Sequence, residues 1–496
     1  MPDRIFTPGA TDLVSRCELL ADRLTPGLRP LAKVAYNYAW SWDPDGPAVF
    51  NDINPHRWGL SGQNPVRFLN DLWPSTQDAA ERNAHLLDRV DALAARIDAM
   101  MARPAVTRPG IDGKVVFMCA EFGFHASMPI YSGGLGVLAG DILKEASDQS
   151  LQMLGIGLLY RRGYFPQRLD HAGRQQEYWL ELDPKSLPLA RVTAEDGSAL
   201  HLGVELYGAE VRFQVWRVDV GRVPLLLLDA EVPENDAVQR WTTARLYEGS
   251  RAVRLAQYGL LGIGGARLLE TLGVEHGVIH MNEGHPALVG LELAAREVAA
   301  GASTDEALQT VRERLVFTTH TPVAAGNETY APHEFLAAYA GLPGRVGLDD
   351  DGFLDLCRAE PGGEPGMTPL ALRLSRTRNG VSRLHGEVAR RMWRPLFSQP
   401  DEVPITHVTN GAHLPTFISR PMRDLFVRHL DGRWLHAPAD PASWEGVLEI
   451  PNDELWAARC EARRQLIQAL RVTGQTLDLA SRAVKDSQRR DKSSGA

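Results

Sequence analysis

The sequence lacks the features of a membrane, secreted or nucleic-acid-binding protein. It has no run of about 18 apolar residues, the length a helix needs to span a bilayer. Its N-terminus has no basic stretch followed by an apolar one, so no secretion signal is predicted. Basic residues are not in excess, because the chain has 53 Lys and Arg and 62 Asp and Glu, which gives a net charge of −9. Nucleic-acid binding relies on basic patches. We therefore predict a soluble cytoplasmic protein with neither a membrane nor a nucleic acid as partner.

Cysteine is scarce. The four cysteines lie far apart, in an arrangement that fits neither a zinc site nor a disulfide framework. They are interpreted as reduced structural thiols: Cys17, Cys119, Cys357 and Cys460.

The chain has the length and composition of a multidomain globular protein. Its 496 residues are 44% hydrophobic and 23% charged, so large cores are possible. Leucines at helical spacing predict a helical leader over residues 1–105. Over residues 110–430, apolar strands alternate with helices, which predicts an α/β domain with a Rossmann-like parallel sheet. The predicted strands are Val115–Cys119, Met153–Tyr160, Val223–Leu228, Val278–Met281, Leu315–Thr318 and Ile405–Val408, and the predicted helices are Val137–Ser150, Leu246–Leu272, Pro286–Ala300 and Ser303–Arg314.

Three further segments differ from these in composition and residue pattern. Residues 163–222 are rich in isolated strands and turns and are interpreted as a possible antiparallel insertion. Residues 431–474 are predicted to be a helical connector with an amphipathic stripe. Residues 475–496 are polar and are predicted to be a disordered tail.

A glycine-rich segment, Tyr131–Asp141, follows one predicted strand and opens a helix. Glycines there let backbone N–H groups approach a ligand, and a helix N-terminus favours an anion such as a phosphate. The segment has neither the Lys-Ser/Thr of a P-loop nor the spacing of a dinucleotide fingerprint. Taken alone, it is equally compatible with an ordinary tight turn.

The aromatic segment Tyr36–Pro44 also has two interpretations. Its tryptophan and tyrosine rings could stack on sugar rings, or they could form the core between helices.

Several motifs, in the same order and spacing, resemble the α-glucan (glycogen, starch and maltodextrin) phosphorylase family. The chain is similar to its bacterial and archaeal branch, which carries a helical leader, over roughly residues 15–470. The resemblance rests on Glu121–Pro129, the glycine-rich segment, Gly155–Gln167, His280–Pro286, Thr319–Pro322, Asn379–Glu387 and Thr409–His413.

The resemblance implies a reaction and a fold. Members of this family transfer glucose from the non-reducing end of an α-1,4-glucan to phosphate, giving α-glucose 1-phosphate with retained configuration. Pyridoxal phosphate assists through its own phosphate group. The fold is two Rossmann-like domains with the site in the cleft between them, so α-glucan and phosphate are the implied partners and a homo-oligomer is possible.

The resemblance also implies residue roles. His320 matches the residue that contacts the glucosyl unit, where a backbone carbonyl can offset positive charge in the transition state. The matching substrate-binding positions are Glu121, Gly133, Gly134, Leu135, Asn282, Glu283 and His285, and Gly133 and Gly134 also match the contact to the cofactor phosphate. No metal site is expected, because strand spacing does not point His276, His280 and His285 at one ion.

The sequence departs from the family pattern near Val472. Pyridoxal phosphate needs a lysine, and none of the six matches the family's attachment lysine: Lys33, Lys114, Lys144, Lys185, Lys485 and Lys492. We therefore expect a truncated chain that lacks the cofactor domain and is catalytically inert by itself, because half a cleft cannot exclude water or position phosphate.

Two other functions stay open. A nucleotide-sugar-dependent glucan synthase has a similar loop, but usually with a lysine before it, where this chain has Tyr131-Ser132. A non-catalytic glucan-binding or regulatory module is suggested by Trp40, Trp42 and Trp58 together with the sugar-pocket residues.

The lysine pattern gives a direct prediction. Pyridoxal phosphate added to the purified chain and reduced with borohydride should leave no stoichiometric lysine-linked chromophore, as measured by near-ultraviolet and visible absorbance. A stoichiometric reducible adduct at one of the six lysines would contradict the expectation.

Overall fold

The structure is a computed structural model that describes residues 9–107, 110, 113–397, 403–468 and 470–471. The predicted polar tail at 475–496 lies outside these residues. The chain divides into two compact units, Met1–Tyr164 with Leu180–Ala412, and Phe165–Trp179 with His413–Ala496. The domain boundaries predicted at residues 105, 110, 430 and 474 stay predictions.

The first unit begins with short helices, and capping residues in the sequence mark where some of them start. Asn54 and Asn64 each accept a hydrogen bond from a backbone N–H of the first turn, and a proline follows each of them. An asparagine cap followed by proline suits a helix start, since proline has no N–H to leave unpaired. The α-helices are Leu13–Ala21, Pro30–Ala35, Gly46–Ile53, Pro55–Leu60, Pro65–Asn70, Pro74–Glu81 and Ala84–Met101.

An eleven-stranded sheet forms the centre of the first unit. The strands of the chain are β1 (Ala10–Thr11), β2 (Lys114–Met118), β3 (Met153–Leu158), β4 (Gln167–Leu169), β5 (Gln175–Glu177), β6 (Ala190–Thr193), β7 (His201–Leu206), β8 (Ala209–Val220), β9 (Val223–Asp229), β10 (His276–Asn282), β11 (Leu315–Thr318), β12 (Thr377–Gly380) and β13 (Thr406–His407). Eleven of these strands form the sheet, in the order β1-β6-β8-β9-β3-β2-β10-β11-β12-β13, with β7 paired to β8. Strands β4 and β5 form a separate two-stranded sheet.

The middle of this sheet is parallel. Every pair from β9 through β3, β2, β10, β11 and β12 to β13 is parallel, whereas β8 pairs antiparallel with β6, β7 and β9. The predicted α/β class with a parallel sheet and a helical N-terminal region is confirmed. Because parallel strands end at one edge, the segments after β2, β10, β11 and β12 meet there.

Helices cover the sheet: Gly134–Asp148, Ala237–Trp241, Arg251–Gly259, Gly265–Thr271, Leu288–Ala299, Thr304–Arg312, Pro332–Ala338, Leu342–Val346, Asp350–Cys357, Met367–Leu374 and Arg383–Met392. The helix predicted from Leu246 starts later, at Arg251, and a π-helical turn, Leu260–Gly264, interrupts it. Strand β12 was not predicted, because its sequence Thr-Arg-Asn-Gly has no apolar run. Ser303 caps its predicted helix with a capping box.

The aromatic segment is core, the second of the two interpretations given above. Trp40, Trp42 and Trp58 are only 1%, 9% and 3% exposed. They therefore present no open face on which a glucan could stack, and the hypothesis of a glucan-binding module loses the tryptophans that suggested it.

Two glycines of the glycine-rich segment are required by packing. A Cβ on Gly140 would lie 2.6 Å from the backbone of Gly123 and Phe124, and one on Gly136 would lie 2.6 Å from Tyr131 and 2.7 Å from the Glu121 carboxylate. The helix that begins at Gly134 thus touches the loop after β2 backbone to backbone.

The second unit contains the β4–β5 hairpin and the helices Leu414–Phe417, Arg420–His429 and Arg433–His436, and residues 452–468 are also helical. Among the described residues of the whole chain, no helix is long and apolar enough to cross a bilayer.

The packing of Gly140 can be tested by adding one methyl group. Gly140→Ala should lower the free energy of unfolding by roughly 2–3 kcal/mol, because the methyl group meets backbone that cannot rotate away. The measurement is urea denaturation. Gly59→Ala is the control, since its Cβ would meet nothing within 4 Å and a helical alanine is favoured by up to about 1 kcal/mol. Equal stabilities of the two variants would show that the contact is not tight.

Candidate functional site

A cleft of about 360 Å³ opens at the carboxyl edge of the parallel strands in the first unit. Four of the predicted site residues line it: Leu135, Glu283, His285 and His320. The other lining residues are Tyr247, Tyr258, Gly284, Thr321, Pro322, Gly326, Asn327, Glu328, Tyr330, Met367 and Thr368. Glu121, Gly133, Gly134 and Asn282 do not line the cleft, and lie next to residues that do.

Glu283 joins the ends of β10 and β11. Its Oε2 accepts hydrogen bonds from the backbone N–H groups of His320 (2.7 Å) and Thr321 (3.1 Å) and from the Thr321 hydroxyl (3.2 Å). Its backbone has φ of 69°, and its N–H donates to the Thr318 carbonyl. Positive φ is unusual for a residue other than glycine and is held here by these bonds. Burial raises the pKa of Glu283.

His320 is held in one tautomer by Asn282. The imidazole Nε2 lies 2.7 Å from the Asn282 side-chain oxygen, which can only accept, so Nε2 carries the proton and Nδ1 is left as an acceptor. The Asn282 amide nitrogen donates to the buried Cys119 sulfur at 3.3 Å. Burial lowers the pKa of His320 to about 4, so the ring is neutral near pH 7. Asn282 thus positions His320 from beneath the cleft.

A carboxylate with two tyrosines forms a wall that sequence reasoning missed. Glu328 Oε2 accepts from the hydroxyls of Tyr330 (2.6 Å) and Tyr258 (3.1 Å), and Oε1 pairs with Arg254 at 2.8 Å. The Tyr258 ring lies 5.3 Å from the His285 ring. The only signal in the sequence is that Arg254 and Tyr258 lie one turn apart on a predicted helix.

Glu121 lies beneath the glycine-rich segment. Its Oε2 accepts from the N–H groups of Ser132 (2.7 Å) and Gly133 (3.3 Å), and its Oε1 accepts from the Tyr247 hydroxyl (2.6 Å). Burial, and then the charge of Glu121, raise the pKa of Tyr247, so this hydroxyl stays a donor. Tyr247 was also missed by sequence reasoning. The carboxylate fixes the conformation in which the next helix begins.

Gly133 and Gly134 leave space in front of that helix. A Cβ on either would meet nothing within 4 Å, unlike one on Gly136 or Gly140. The first N–H groups of a helix have no partner within the helix. Because the Gly133 N–H already donates to Glu121, the N–H groups that remain for an anion are those from Gly134 onward.

Comparison with known proteins is consistent with this geometry. The chain is 36% identical over 459 residues to the maltodextrin phosphorylase of Thermococcus litoralis, which covers 91% of this chain and 54% of that protein. It is 37% identical over 473 residues to the glycogen phosphorylase of Mycobacterium tuberculosis (90% and 54%), and 32% identical over 443 residues to that of Aquifex aeolicus (89% and 64%). Over about 90% of its length, the chain is similar to glycogen and maltodextrin phosphorylases.

Two further facts qualify the match. The chain spans about half the length of the first two of these phosphorylases. Residues 24–128 match a family profile described as a protein of unknown function, DUF3417, which is the N-terminal region of such phosphorylases.

The described residues fit only part of the cofactor of phosphorylases. The space in front of Gly133 and Gly134, at a helix N-terminus, is compatible with its phosphate. For its aldehyde, none of the described lysines lines the cleft. Lys144 is buried (2% exposed) with its ammonium over the Trp42 ring, and Lys33 pairs with Asp98. Lys114 starts β2, at the opposite edge of the parallel strands, and Lys185 lies in a short turn. Lys485 and Lys492 lie outside the described residues.

Within the described part of the chain, no cluster of His, Cys, Asp or Glu is arranged to hold a metal ion. His280 instead donates from Nε2 to the Thr318 hydroxyl (2.7 Å), which donates to the Asn379 side-chain oxygen (3.0 Å). This chain of hydrogen bonds crosses β10, β11 and β12.

The neutral state of His280 predicts a pH effect. Burial lowers its pKa from 6.5 to about 4, so the unfolded chain takes up a proton that the folded chain does not. The stability gained is complete above pH 6.5 and is lost as the pH falls toward 4. In His280→Gln, the free energy of unfolding from urea denaturation should fall by roughly 1 kcal/mol less between pH 6.5 and 5.5 than in the unmodified chain. The exposed His56→Gln is the control, and identical slopes in the two variants would contradict the prediction.

Proposed function

We propose that this chain supplies the sugar-binding wall of an α-1,4-glucan phosphorylase, which transfers a terminal glucosyl unit to inorganic phosphate and gives α-glucose 1-phosphate. The names of its relatives support a phosphorylase over a nucleotide-sugar-dependent glucan synthase.

The observation that carries the proposal is a pair of unsatisfied polar atoms. Glu283 Oε1 and His285 Nδ1 are buried and have no hydrogen-bond partner among the described residues, and both residues line the cleft. Such atoms are costly to leave unpaired. A sugar hydroxyl both donates and accepts, so a glucosyl unit is a ligand that satisfies them.

Glu283 also orients the backbone of His320. The Thr321 N–H and the His320 carbonyl share one planar trans peptide, in which the two groups point in opposite directions. Because Glu283 holds that N–H, it fixes the carbonyl pointing away from its own carboxylate. The negative end of this carbonyl dipole is suited to offset positive charge that develops on a glucosyl ring. The neutral His320 Nδ1 is an acceptor for a sugar hydroxyl.

We further propose that the chain alone binds the sugar but does not transfer it. No lysine or arginine among the described residues lines the cleft, so this wall offers no cationic side chain to a phosphate acceptor. The helix N-terminus at Gly133 and Gly134 is the one anion-favouring feature that we assign to it. The cofactor and the main phosphate-binding groups would belong to a second wall.

The proposal predicts sugar binding that depends on Glu283. Isothermal titration calorimetry should detect binding of glucose 1-phosphate or maltoheptaose to the purified chain. Glu283→Ala should weaken binding at least about tenfold, since it removes the buried acceptor and frees the peptide at His320. Glu334→Gln is the control, because Glu334 pairs with Arg251 and does not line the cleft.

A second measurement tests the reaction. Glucose 1-phosphate formation from glycogen and phosphate should be absent for the chain alone and detectable for a full-length relative. Turnover by the purified chain would overturn the proposed division of roles, and the absence of any sugar binding would overturn the proposed function.

A further inference from the structure

The segment that matches a profile of unknown function crosses a structural boundary. Residues 24–128 include six helices of the leader, then β2, then the loop after β2 as far as Met128. This loop contains Glu121, which accepts hydrogen bonds from the N–H groups of Ser132 and Gly133. The profile therefore treats the leader and the start of the candidate site as one unit.

A buried relay joins the leader to this loop. The Tyr38 hydroxyl lies 2.9 Å from the Ser127 hydroxyl, which lies 2.9 Å from His125 Nδ1. His125 Nδ1 also accepts the Ser127 backbone N–H at 3.1 Å, so it is the acceptor in both bonds. Ser127 therefore donates to His125 and accepts from Tyr38. Tyr38 is 0% and Ser127 8% exposed, so water does not replace these bonds.

Aromatic packing surrounds the relay. The Tyr38 ring meets Phe124 edge-on at 4.8 Å, and the Trp40 ring meets His125 at 4.9 Å. Trp40 in turn contacts Phe50 at 5.2 Å. Two residues of the loop thus lie within the aromatic core of the leader.

The leader also holds the helix that follows the glycine-rich segment. The Trp42 indole N–H donates to Asp148 at the end of that helix (3.1 Å), and the Lys144 ammonium lies 5.7 Å from the Trp42 ring. The Asn37 side chain bonds both the N–H and the carbonyl of Gly221, in the turn between β8 and β9. The leader therefore also contacts the C-terminal end of this helix and the turn that precedes β9.

We propose that residues 24–107 are an intramolecular scaffold for the candidate site, and that Tyr38 and Ser127 are positioning residues for Glu121 and for the N–H groups at Ser132 and Gly133. The proposal assigns a structural role to the region that matches the profile of unknown function. What the positioned groups bind rests on the proposed function, but the positioning itself does not.

The test is amide hydrogen exchange of the full chain without ligand, read on peptides that cover residues 130–136. In Tyr38→Phe, exchange at Ser132 and Gly133 should accelerate about fivefold or more, the effect of one lost buried hydrogen bond on local opening. Tyr339→Phe is the matched control, since it removes an equally buried hydroxyl that bonds the Leu255 carbonyl (2.7 Å) and does not touch the loop. Equal exchange at 130–136 in the two variants would overturn the proposal, even if both lose thermal stability.

A second pair of variants provides the test if Tyr38→Phe does not fold. Ser127→Ala should produce the same local acceleration, and Ser375→Ala, which removes the buried hydroxyl bonded to the Ala371 carbonyl, should not. No difference between these two variants would also overturn the proposal.

Addition of glucose 1-phosphate separates the two proposals. Slower exchange at 130–136 in the unmodified chain supports the proposed function. No ligand effect, together with the acceleration in Tyr38→Phe, would reject the sugar site and leave the scaffold standing.

Discussion

The Glu283 carboxylate is the interaction on which the arrangement of the cleft depends. Glu283 follows β10. One of its carboxylate oxygens accepts hydrogen bonds from two backbone N–H groups and a hydroxyl in the segment after β11. Because these bonds hold Glu283 at positive φ and fix the peptide after His320, the ends of two strands become one rigid surface. The second oxygen is buried and has no partner among the described residues, and Glu283 lines the cleft.

Other polar side chains at this edge of the sheet are also fixed by hydrogen bonds to neighbouring segments. Asn282 fixes the tautomer of His320, and Glu121 fixes the backbone that precedes the helix at Gly134. Among the described residues, no arginine or lysine pairs with Glu121 or Glu283, whereas Glu328 pairs with Arg254. Burial lowers the pKa values of His280, His285 and His320 to about 4, so neutral rings line or support the cleft. Neutral rings and hydrogen-bonded carboxylates thus form this part of the cleft, and no described arginine or lysine lines it.

Prediction from sequence succeeded where the signal was local. The strand Leu315–Thr318 and the Ser303 cap were found as predicted, because apolar runs and capping boxes act over a few residues. Strand β12 was missed because it is polar, and the π-helical turn within the helix after Arg251 was missed because periodicity does not resolve one inserted residue. Glu328, Tyr258 and Tyr247 were missed because their roles depend on contacts between distant segments.

The sequence by itself determined the α/β class and the resemblance to phosphorylases, since these depend on local pattern and on motif order. It also predicted that Glu283 and His285 follow a strand and that the glycine-rich segment opens a helix. Tertiary structure alone decided which glycines are packing requirements and which leave space: Gly136 and Gly140 contact other segments, and Gly133 and Gly134 do not. It also decided that Trp40, Trp42 and Trp58 are core. The physical reason is that burial and close approach are properties of segments brought together from distant parts of the chain, which no local pattern records.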